Sequence, residues 1–142
     1  LRNSSAASDV YKRQVKEFST KANVHDMLSV FYFIRNNYSL DQIKKAKDLS
    51  VDMFFDSENY EFKMKFLGIE TINTKFGKIK CIKLRPFVQS GRVFKEKESL
   101  TLWISADKNK IPIRIKADLV VGSIRVDLDA FSGLNHPFEI NF

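Results

Sequence analysis

Residues 60–69 read YEFKMKFLGI, and this stretch decides the fold. Tyr60, Phe62, Met64 and Phe66 alternate with Glu61, Lys63 and Lys65, the period of two that marks a half-buried strand. At Leu67-Gly68-Ile69 the apolar set passes from even to odd positions. A strand cannot change face without an extra residue, so a bulge or sharp bend is predicted near Gly68.

The same period runs outward in both directions. Upstream, Leu49, Val51 and Met53 alternate with Ser50, Asp52 and Phe54, and Asp56-Ser57-Glu58-Asn59 supplies turn chemistry. Downstream, the chain turns at Phe76-Gly77-Lys78. Ile79 and Cys81 then give way to Ile82, Leu84 and Pro86, a second change of phase that predicts a second bend. Gln89 to Arg92 reads as a turn. Leu100, Leu102 and Ile104 alternate with Thr101, Trp103 and Ser105, and Asp107 to Lys110 closes a hairpin onto Ile111, Ile113 and Ile115. Gly122 breaks the run before Ile124, Val126 and Leu128. Pro112 has no N–H to donate, so it is expected on an edge strand, at a strand start or at a bulge.

Before the strands, Val24, Leu28, Phe31 and Ile34 follow three- and four-residue steps, predicting a helix from Asn23 to about Arg35. Asn23 is the expected N-cap, and Asp26 in the first turn suits the helix dipole. Met27, Val30 and Phe33 broaden its apolar surface. Leu40 to Lys47 predicts one further helical turn. The expected fold is α+β, mostly β: a curved antiparallel sheet of six strands, a half-barrel, with one N-terminal helix on its concave face.

Composition agrees with a single domain of this kind. The chain has 142 residues, 44% hydrophobic, with thirteen Phe and a formal charge of +7, which excludes disordered, collagen-like and coiled-coil classes. One cysteine excludes an intrachain disulfide and a multi-cysteine zinc site. No apolar run reaches the length of a membrane-spanning helix.

Residues 1–14, LRNSSAASDVYKRQ, show no helical or strand period and resemble a translated sequencing-adapter leader. They are expected to be non-native and disordered, with 15–142 forming the native part. The leader's Arg2, Lys12, Arg13 and Asp9 sum to +2, which leaves +5 on residues 15–142.

Residues 60–128 carry a family resemblance. The segments are FLGIETINTKFGKIKCIKLRP (66–86), GRVF (91–94), LTLWISADKNKIPIRI (100–115) and VGSIRVDL (121–128). Together they resemble the C-terminal half of the DUF3108 family, proteins of the Gram-negative envelope whose function is unknown. The resemblance implies export to the periplasm or outer membrane. It also implies that a strand-rich N-terminal half and a signal peptide precede residues 15–142 in a longer protein. A more distant likeness, to the LolA-like and LolB-like lipoprotein carriers, implies a half-barrel that holds acyl chains against helices.

Few residues suggest a reaction. His25 and His136 are far apart in sequence and lack metal-ligand spacing. Cys81, between Ile79 and Ile82, reads as a small core hydrophobe. Asp127 and Asp129 share a strand face but read as its solvated side. There is no phosphate loop and no nucleophile elbow. No enzymatic activity, metal or cofactor is expected.

Two faces of the sheet attract more attention. Lys63, Lys65, Lys83, Arg85, Arg114 and Lys116 fall at outward positions with Trp103 among them, a basic face suited to anionic headgroups. Interspersed Glu61, Asp118 and Asp127 dilute its field, so nucleic acid is not expected. On the opposite face Phe62, Met64, Phe66, Leu102, Ile104 and Ile113 are expected to line an apolar groove. The function expected is non-enzymatic binding of a hydrophobic ligand, a lipid or lipoprotein acyl chain. The alternative is a structural or assembly factor docking another envelope protein through the sheet face or edge.

Overall fold

Tyr60, Phe62 and Met64 are each less than 5% exposed, while Glu61 and Lys65 face solvent. The computed structural model describes residues 19–26, 28–46, 48–55, 57–88, 100–119 and 121–140. The leader expected at 1–14 and the turn expected at 89–92 lie outside the described residues.

Six strands form one sheet in the order of the chain: β1 (Asp48–Phe55), β2 (Glu58–Thr74), β3 (Gly77–Val88), β4 (Leu100–Ser105), β5 (Pro112–Asp118) and β6 (Ser123–Asp127). Every neighbouring pair is antiparallel, so the sheet is a meander, curved and unclosed. Two short helices, α1 (Ser29–Asn37) and α2 (Leu40–Lys45), lie against one face. The fold is the mostly-β curved sheet that the alternation predicts.

The β2–β3 register shifts between Phe66 and Gly68, which places the extra residue at Leu67. Gly68 has φ +135°, a conformation that side chains with a Cβ rarely adopt. The second phase change has a different cause. No register shift occurs at Cys81-Ile82, so no extra residue underlies the change of phase there. β3 is regular, and both of its faces are buried: Ile82 and Leu84 point to the helix face, Ile79 and Cys81 to the other.

That second buried face is covered by the chain's own C-terminal segment. Leu128, Leu134 and Phe138 pack against a cluster of Ile72, Ile79, Cys81, Trp103, Ile111 and Ile113. Phe131 joins Phe76 and Phe138 edge to face, at 5.2 and 4.8 Å between ring centroids, an arrangement that suits the ring quadrupoles. β4 is therefore buried on both sides from Thr101 to Ser105. Cys81, fully buried, has its thiol pushed up to about 12 by desolvation, which withholds the thiolate needed for nucleophilic chemistry.

A second irregularity lies between β4 and β5, where Trp103 pairs with Arg114 but Ile104 pairs with Pro112. Pro112 thus occupies both a strand start and a bulge, two of the three positions its missing N–H allows. The extra residue, Ile113, turns to the tail-covered face.

α1 begins later than its periodicity predicts. Asn23 sits at φ +60° and His25 forms a parallel bridge with Met53, exchanging His25 N–H to the Asp52 carbonyl (3.0 Å) and Phe54 N–H to the His25 carbonyl (2.8 Å). Pairing with the β1 edge therefore takes residues 24–25 out of the helix. Asp26, not Asn23, serves the helix start: its Oδ1 accepts from the N–H groups of Leu28 (2.9 Å) and Ser29 (2.7 Å). α2 is capped by Ser39 and Gln42, each side chain bonded to the other's backbone N–H.

Candidate functional site

Val30 and Ile34, one turn apart on α1, are buried against the sheet, and Phe31 meets Phe62 edge to face at 6.0 Å. Beside this contact, α1 and strands β4 and β5 face each other across open space. A cavity of about 270 Å³ lies between them. From α1 it is lined by Leu28, Phe31, Tyr32, Ile34 and Arg35. Met64, Leu84, Leu102, Ile104, Pro112 and Ile115 form its floor, and Lys110 enters from the β4–β5 turn. The walls are almost wholly apolar. Leu28, Tyr32 and Ile115 are 73%, 62% and 37% exposed, so the cavity opens to solvent along an apolar rim, the usual form of a small-molecule site.

Of the groove residues expected from the alternation, Met64, Leu102 and Ile104 line this cavity. Phe62 and Phe66 share its face but belong to the core beneath the helices. Ile113 is a correction: the β5 bulge places it on the opposite face. Leu28, Tyr32, Arg35 and Lys110 were not legible as site residues, since only tertiary placement brings the helix flank beside the hairpin turn.

The expected basic residues do share the opposite face, and Lys63, Lys83, Arg114 and Lys116 are paired there with carboxylates. Lys63 pairs with Glu61 at 3.2 Å and Lys116 with Asp118 at 2.7 Å. Arg114 pairs with Asp127 and donates to the Asn73 carbonyl at 3.2 Å. Lys65 and Arg85 are cross-strand register partners. Trp103 corrects the picture of an aromatic projecting among lysines. It is only 7% exposed, because the C-terminal segment covers it, and its Nε1–H donates to Glu70 at 3.1 Å. Lys83 sits over the Trp103 ring at 5.2 Å and pairs with Glu70 at 3.2 Å.

Trp103 and Lys83 together hold the Glu70 carboxyl below its ordinary value of 4.5. A lowered folded-state value stabilises the fold above the unfolded carboxylate's value and loses that contribution as pH falls through the folded one. Glu70 is half exposed, so the effect stays under about 1 kcal/mol. Trp103 is the single tryptophan. Its fluorescence should therefore show an acid transition centred below 4.5 that Glu70→Gln abolishes; a transition at or above 4.5 would refute this assignment.

Asp107, Asn109 and Ser105 form a third polar group, fully internal. Asp107 Oδ1 accepts from Ser105 Oγ (2.7 Å) and from the N–H groups of Asn109 (2.9 Å) and Lys110 (3.1 Å). Asn109 Nδ2 donates to the carbonyls of His136 (3.0 Å) and Pro137 (3.1 Å). Every one of these bonds locks the hairpin or its cover, a structural role. Among the described residues no three of His, Cys, Asp and Glu cluster as a metal site, and no helix is long and apolar enough to cross a membrane.

The family described as "Protein of unknown function (DUF3108)" matches residues 3–129, a span that holds all six strands, both helices and every lining residue of the cavity. The chain belongs to the DUF3108 family. No curated protein and no solved structure matches it. The DUF3108 match extends well upstream of residue 60, through α1 and β1, so the helix that roofs the cavity belongs to the matched region as much as the sheet does.

Proposed function

We propose that this DUF3108 protein is a non-enzymatic envelope protein that binds a hydrophobic ligand, the acyl chain of a lipid or lipoprotein, beneath α1. The supporting observation is the open apolar cavity between α1 and β3–β5. At about 30 Å³ per water-sized group, 270 Å³ holds roughly nine such groups, enough for one medium-length chain but not two. Burying eight methylenes at about 0.8 kcal/mol each supplies roughly 6 kcal/mol of driving force, part of which is offset by the freedom the chain loses on binding.

Titration with the neutral apolar probe N-phenyl-1-naphthylamine tests the reading directly. A saturable, one-to-one rise in emission is expected, reversed by decanol. A linear, non-saturating response from folded protein would overturn it.

A second reading has its own observation. Ile124 and Val126 on the edge strand β6 are 56% and 58% exposed on the cavity side of the sheet, a surface on which another envelope protein could seat. Crosslinking from position 124 in cells would support this docking reading by giving one dominant, reproducible envelope partner, and a diffuse pattern would count against it.

A further inference from the structure

Among the described residues, the charged ones that line the cavity are Arg35 and Lys110, and they stand together. Arg35 lies in the last turn of α1, and Lys110 Nζ donates to the Arg35 main-chain carbonyl at 2.8 Å. That bond anchors the ammonium beside the guanidinium at the helix C-terminus, where cations are favoured. It uses one of the three lysine donors and leaves two. Among the described residues, neither Arg35 nor Lys110 forms an ion pair. Asp107, the carboxylate nearest in sequence to Lys110, spends Oδ1 on Ser105 and two backbone N–H groups. Burial and the Arg35 charge lower the Lys110 pKa, against a smaller opposing pull from Asp107. Among the described residues, these two adjacent cations form no direct ion pair, Asp107 being the carboxylate that acts on Lys110, and they border a cavity that is otherwise almost wholly apolar.

We infer that this part of the cavity receives a carboxylate, and that the ligand is a single-chain aliphatic carboxylate. Its tail lies along Leu102 and Ile104, and its head sits between Arg35 and Lys110. The inference rests on the acyl-binding reading above and specifies the end group. A planar carboxylate suits this pair: the guanidinium fork offers parallel donors to both oxygens, and the tethered lysine supplies a fixed point charge. The apolar rim at Leu28 and Tyr32 leaves the far end of the chain free of polar demands.

The test compares decanoate, decanol and decyl phosphate on the full chain, by displacement of N-phenyl-1-naphthylamine at low ionic strength. Wild-type protein should bind decanoate about tenfold more tightly than decanol, the gain of one charge-assisted contact. Lys110→Met should bring that ratio close to one by weakening decanoate binding. Arg35→Met keeps the main-chain carbonyl that anchors Lys110, and should also reduce the ratio, which preserves the test should Lys110→Met fail to fold. Equal binding of decanoate and decanol by the wild type would overturn the end-group inference but leave the acyl cavity standing. Tighter binding of decyl phosphate than of decanoate would overturn the carboxylate in favour of a phosphate head. Failure of all three to displace the probe would remove the acyl cavity itself.

Discussion

Replacing Asp107 with alanine is expected to lower stability by about 3 kcal/mol, a fall in midpoint temperature of roughly 10 °C. One oxygen carries the effect. Asp107 Oδ1 accepts three hydrogen bonds in a turn that is itself buried, with Asp107 5% exposed and Asn109 1%. Two of the donors are backbone N–H groups that the turn offers to no one else, and Lys110 holds φ +47° while making its bond. Ser105 Oγ in turn accepts from the Ile111 N–H at 2.8 Å, so the loss propagates into β5. Asn109 ties the turn to His136 and Pro137, so a loosened turn releases the segment covering Trp103. The unfolding transition of Asp107→Ala should thus be preceded by a red shift of Trp103 fluorescence. Asp107→Asn retains the accepting oxygen and should cost less than about 1 kcal/mol. Equal midpoints for the alanine variant and the wild type would show that the network contributes nothing.

The role of the block from Trp103 to Pro112 was only half visible in the chain. Asp107 to Lys110 reads as a hairpin turn from composition alone, since short polar side chains favour local bonds to backbone. That the same residues clasp a segment 27 positions later is a tertiary fact with no local trace. The alternation of β2 was legible because one face meets core and the other water. Legibility ended where both faces are buried. In β3, Ile79-Cys81 and Ile82-Leu84 mimic an extra residue in the text, yet the register is unbroken and only the covering changes, from tail to helix. At Gly68 the same textual signature reflects a real extra residue. The two cases look alike because a pattern of apolar residues records burial, and burial has two causes. Ile113 was misplaced for the converse reason: its bulge leaves the apolar alternation of Ile111, Ile113 and Ile115 intact.

Ile115→Trp should weaken binding of N-phenyl-1-naphthylamine and decanoate at least tenfold while changing stability by less than about 1 kcal/mol. Ile115 faces Leu102 on β4 and Val126 on β6, and its side chain forms the cavity wall next to the open rim. It is 37% exposed, so a larger ring system can rotate towards the mouth without forcing the core apart. Overpacking is costly only where no free volume adjoins the site. The ring would occupy space that the ligand's methylenes need, and each methylene displaced to water forgoes about 0.8 kcal/mol, so losing two suffices for the tenfold effect. Val126→Trp is the matched control. It adds the same indole on the same face, one strand further out, at a position 58% exposed and outside the cavity lining. If hydrophobic area alone held the ligand, Val126→Trp would strengthen binding and Ile115→Trp would do the same. If enclosure holds it, Ile115→Trp blocks and Val126→Trp leaves affinity unchanged. The pair therefore separates a cavity from a sticky surface, a distinction that decides between an acyl-binding protein and one that docks others through β6.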